Sequence, residues 1–83
     1  MEKVIRELQK LNGKKVEIIT MHKWFGKERY NCQLSLVADN DKIGFKIQNS
    51  EVYILKSDLE SIQEVNGTYC IKDALMEITI IPG

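Results

Sequence analysis

From Tyr30 to Ala38 the chain reads Y-N-C-Q-L-S-L-V-A. Tyr30, Cys32, Leu34, Leu36 and Ala38 fall on one parity, Asn31, Gln33 and Ser35 on the other, and only Val37 breaks the alternation. A period of two sets a dry face against a wet one. A helix would scatter the same five apolar side chains around its axis and carry the polar ones into the interior. The segment is therefore expected to be a half-buried β-strand, and the fold has to supply something for its dry face to cover.

The rest of the chain offers more strands and one helix. Residues 2–11, E-K-V-I-R-E-L-Q-K-L, place Val4, Ile5, Leu8 and Leu11 on one stripe, and Asn12-Gly13 follows as a stop signal. About ten residues do not hold a helix alone in water, so this stripe must dock. Residues 14–21 read as a strand with Val16, Ile18 and Thr20 on one side, and a glycine-bearing loop at 22–29 joins it to the Tyr30 strand as a hairpin. Asp39-Asn40-Asp41-Lys42 makes the next turn. Ile43, Phe45 and Ile47 alternate along a further strand in which Gly44 suggests a bend. Residues 51–56 form a nearly all-apolar strand that has the composition to be buried on both faces. Ser57 to Ile62 reads as a short helical turn with a capping residue. After a brief strand at 63–65, Asn66-Gly67 is the strongest hairpin signal, followed by strands at 68–72 and 75–81.

This order resembles the small five-stranded barrels of the Sm-like and SH3-like group, in which a helix precedes a strongly bent sheet and a single turn separates the last two strands. The resemblance is carried by Gly13-Lys14-Lys15-Val16, the long second strand, Gly44 and the Val52 to Ile62 segment, and it spans residues 2–66. It implies a mostly β single domain over residues 1–83. Its parts are an N-terminal α-helix (1–13), a small, strongly bent antiparallel β-barrel (14–66), and an extra C-terminal hairpin (67–83) beyond the pattern.

Charge and cysteine use narrow the functional classes. Twelve Lys plus Arg balance twelve Asp plus Glu, so the molecule as a whole exerts no long-range pull on phosphate. Residues 1–30 nevertheless hold eight bases against four acids, and residues 31–83 carry the opposite balance. No leader-like apolar run and no stretch of roughly 20 apolar residues is found, so a cytoplasmic protein without a membrane partner is expected. Cys32 and Cys70 do not form a disulfide framework and are expected to be buried small hydrophobes.

The functional candidate is the loop His22-Lys23-Trp24-Phe25-Gly26-Lys27-Glu28-Arg29. Its two large rings can stack on bases and its cations can hold phosphates, the chemistry of single-stranded nucleic-acid binding. The same residues suit an acidic protein surface, because Trp and Arg are favoured interface anchors. Against both stands a plainer role, in which Trp24 and Phe25 fold back as a lid and the charges only solubilise the hairpin. The expected contact set is Lys23, Trp24, Phe25, Lys27 and Arg29, supported by Lys14 and Lys15. The expected partner is single-stranded RNA or, alternatively, a protein surface, including a second copy in a homo-oligomer that uses sheet edges.

Catalysis is not expected. A hairpin closing near 25 and 26 would bring His22 toward Cys32, but Cys32 lies on the apolar parity, which suits a packed thiol better than a nucleophile. One His and two Cys some forty residues apart lack zinc-ligand spacing, and Asp39, Asp41, Asp58 and Glu60 are explained by turns and caps. No metal and no small-molecule cofactor is expected.

Overall fold

The computed structural model describes residues 2–83. Helix α1 spans Glu2–Gln9, and eight strands follow: β1 Lys15–His22, β2 Gly26–Gln33, β3 Leu36–Ala38, β4 Lys42–Ile47, β5 Ser50–Leu55, β6 Leu59–Val65, β7 Thr68–Asp73 and β8 Met76–Pro82. A single 3-10 turn, Lys56–Asp58, stands between β5 and β6. The chain is thus mostly β with one N-terminal helix. The strands make two antiparallel sheets, a wide one in the order β2-β1-β8-β7-β6 and a small one in the order β3-β4-β5.

The expected alternation from residue 30 holds, and it runs through a change of sheet. Leu34 N donates to Lys14 O (2.9 Å), still on the side of β1, while Ser35 O accepts from Lys46 N (3.0 Å), on the side of β4. One peptide step therefore carries the chain from the wide sheet to the small one. Leu34 and Leu36 keep the same parity on either side of the step and are 2% and 4% exposed. Both side chains thus enter the core although residues 34 and 35 belong to neither strand.

The core lies between the two sheets. Val16 and Ile18 of β1, Tyr69 and Ile71 of β7, and Ile78 and Ile80 of β8 face Leu36 of β3, Ile43, Phe45 and Ile47 of β4, and Ile54 of β5. Ile5 and Leu8 of α1 complete it, and the helix packs against β3 and β6. A Glu2–Lys56 ion pair at 3.5 Å ties the helix start to the 3-10 turn.

Several expectations are corrected. No closed barrel is found among the described residues, because β5 pairs only with β4, β6 only with β7, and no ladder joins the sheets. The C-terminal segment is not an extra hairpin on a finished sheet. β8 lies between β1 and β7, so residues 67–83 supply the middle of the wide sheet. β5 is buried on one face only, with Tyr53 and Leu55 in solvent. Gly44 provides room: a β-carbon there would lie 2.9 Å from the Tyr53 ring, its cross-strand partner. Both cysteines are half-buried and unpaired. No helix among the described residues is long and apolar enough to cross a membrane.

Candidate functional site

The β1–β2 hairpin is more regular than the sequence suggests. β1 runs through His22 and β2 begins at Gly26, so the loop shrinks to Lys23, Trp24 and Phe25. Gly26 closes it at φ +85°, a left-handed conformation that glycine adopts without steric cost. Lys27 and Arg29 consequently sit on β2, paired with Met21 and Ile19 of β1.

The two rings project from this tip. Trp24 is 71% exposed and Phe25 80%, which removes the lid alternative. The loop is anchored locally. Trp24 N–H donates to His22 Nδ1 at 3.1 Å, and the imidazole centroid lies 4.7 Å from that of Phe25 and 5.8 Å from that of Trp24. Lys23 N–H also donates to Leu75 O (2.8 Å), which joins the tip to the turn between β7 and β8. That second turn is shaped by Asp73, whose carboxylate accepts from Leu75 N and Met76 N at 2.8 and 2.7 Å.

Two turns held side by side create a larger surface than the loop alone. Met21, at the end of β1, and Leu75, in the turn before β8, are exposed as well. A shallow groove of about 230 Å³ is lined by Met21, Lys23, Lys72 and Leu75 among others, and the Trp24 and Phe25 rings stand outside it. One transverse row across the wide sheet reads Lys27, Met21, Glu77, Lys72. Met21, Lys72 and Leu75 are the residues that sequence reasoning missed. Met21 carried a usable signal in its outward parity at the end of β1, whereas Lys72 and Leu75 arrive only through the pairing of β8 with β1.

Not every expected residue joins the tip. Lys15 pairs with Gln33 at the opposite end of the hairpin, seven residues from His22, which is about 23 Å at about 3.3 Å per residue. Lys14 precedes it, so neither lysine shares a contact surface with Trp24 and Phe25. Arg29 Nε lies 3.5 Å from the Glu17 carboxylate, which offsets part of its charge. His22 and Cys32 are likewise apart: Cys32 pairs with Val16 and His22 with Gly26, six rungs away. Tyr30 donates its hydroxyl proton to Glu28, and that hydrogen bond, more than burial, pushes its ionisation above the usual phenol range. Among the described residues no group of three or more His, Cys, Asp and Glu side chains converges as a metal site would require.

Comparison with known protein families, curated proteins and solved structures finds no match to the chain.

Proposed function

We propose that this chain is a non-enzymatic binding module that holds single-stranded nucleic acid at the β1–β2 hairpin tip. The observation that carries the proposal is the exposure of both Trp24 and Phe25 on a loop fixed at each side by hydrogen bonds. Bases stack on the rings, and Lys23, Lys27 and Lys72 meet the phosphates around them. A preformed loop avoids the entropy of ordering at the moment of binding. The test is fluorescence polarisation of a labelled decauridine between about 50 and 200 mM salt. Three phosphate contacts predict a slope of log affinity on log salt near about −2 for a single strand. Absent or salt-independent binding would remove the proposal.

Met21 and Leu75 favour a second reading, in which the same tip meets a protein surface or another copy of the chain. Sedimentation at high concentration tests the self-assembly form: a monomer throughout argues against it.

We also read the two sheets as an opened variant of the Sm-like and SH3-like barrel. Support comes from the single 3-10 turn after β5, the pairing of β8 with β1, and the chain's crossing between sheets at Leu34 and Ser35.

A further inference from the structure

The outer face of the small sheet carries a second cluster of ring and cations that the hairpin tip does not involve. Val37 of β3, Gly44 of β4 and Tyr53 of β5 form one transverse row. Gly44 has no side chain, and the Tyr53 ring fills the space its β-carbon would take, with ring carbons 2.9 and 3.0 Å from that position. The ring is thus backed by the sheet, yet Tyr53 remains 53% exposed, and Val37 stands open beside it. On β4 the residues two before and two after Gly44 point the same way, and both are lysines. Lys42 Nζ lies 4.9 Å from the ring centroid. A groove of about 300 Å³ is lined here by Val37, Lys42, Lys46 and Tyr53 among others, and also by Glu51, which stands opposite Lys46 across the strands. The opposing charge is Glu51, whose carboxylate is engaged by the Tyr53 hydroxyl.

We infer that this face is a second contact for the same single strand, at which one unpaired base stacks on Tyr53 while Lys42 and Lys46 hold the phosphates on either side. The inference rests on the nucleic-acid reading of the hairpin tip and extends it to a separate surface. The two lysines are four residues apart on one strand, about 13 Å, so a backbone crossing the ring meets an ammonium before it and another after it. An arriving base displaces the Lys42 ammonium from the ring. The exchange is favourable because base stacking exceeds an exposed ammonium–ring contact, and the released ammonium gains a phosphate. Sequence selectivity is not expected, since every base offers a π-face and no side-chain amide lines this groove.

The test compares decauridine binding by polarisation in the parent chain, in Tyr53→Leu, in Tyr53→Phe and in a Trp24→Ala, Phe25→Ala double variant. Leucine still covers Gly44 but offers no ring, whereas phenylalanine keeps the ring and loses only the hydroxyl. Thermal melts of each variant separate loss of fold from loss of contact. Tyr53→Leu is expected to weaken binding roughly tenfold or more and Tyr53→Phe to leave it within about twofold, as stacking energies per base imply. If Tyr53→Leu binds like the parent while the double variant fails, the inference is overturned and the hairpin proposal stands. If Tyr53→Leu fails and the double variant binds normally, the small-sheet contact stands and the hairpin proposal falls. No binding by the folded parent chain overturns both.

Discussion

Gly44 and Tyr53 show how one absent side chain is matched by a present one. A glycine inside a strand costs about 0.5 to 1 kcal/mol relative to alanine, and the Tyr53 ring makes use of the vacancy. Gly44→Ala should therefore be less favourable with Tyr53 in place than in a Tyr53→Ala background, by on the order of 1 kcal/mol. Urea unfolding of the four chains measures the coupling, and additive effects would contradict it. Cys70 makes a separate prediction. Burial first, and then the Glu77 carboxylate that accepts its thiol proton at 3.2 Å, push its ionisation above the ordinary thiol range. The thiolate is thus scarce at neutral pH, and iodoacetamide should modify Cys70 slowly until the pH rises past about 8.5. Peptide mass mapping across a pH series reads this directly. A rate already half-maximal below that pH would refute it, and Glu77→Gln should shift the profile to lower pH.

At the level of elements, one side-chain amide ties the segment after α1 to β3, beside the packing of Ile5 and Leu8. Asn12 Nδ2 donates to Leu36 O at 3.0 Å, and Leu36 N donates to Asn12 Oδ1 at 2.8 Å, so the side chain occupies the place of a neighbouring strand. Asn12→Ala strands both backbone groups and should cost about 1 to 3 kcal/mol. Asn12→Asp keeps an acceptor for Leu36 N but sets a second oxygen against the Leu36 carbonyl, so it should destabilise as well. A loss in either variant under about 0.5 kcal/mol by chemical unfolding would show that water replaces the amide. Asn12 was legible in the sequence only as a helix stop, since its partner lies 24 residues away. The alternation of Tyr30 to Ala38 was legible because period two depends on neighbours alone, and so was the Asn66-Gly67 hairpin. What could not be read was the sheet change at Leu34 and Ser35, where the parity continues undisturbed. The candidate site divided in the same way. Trp24 and Phe25 lie together in sequence and in space, whereas Lys14 and Lys15, close in number, are carried off along a straight strand.

Across the whole molecule, the decisive contact is the insertion of β8 between β1 and β7. It buries Ile78 and Ile80 completely and gives β1 and β7 their second hydrogen-bonded neighbours. Truncation after residue 66 should accordingly abolish cooperative unfolding instead of leaving a stable smaller domain. Far-ultraviolet circular dichroism and a thermal melt check this, and a sharp transition in the shortened chain would contradict it. Ile78→Ala alone should cost about 2 to 5 kcal/mol, a large share of the roughly 5 to 15 kcal/mol available to a domain. The hairpin tip depends on the same insertion, because the Leu75 carbonyl that holds Lys23 precedes β8 by one residue.

During synthesis the ribosome releases β1 early and β8 only after the seven other strands. Until then β1 and β7 each leave one row of amides and carbonyls unclaimed. The wide sheet is therefore completed only when its last strand in sequence has emerged to join strands made long before it.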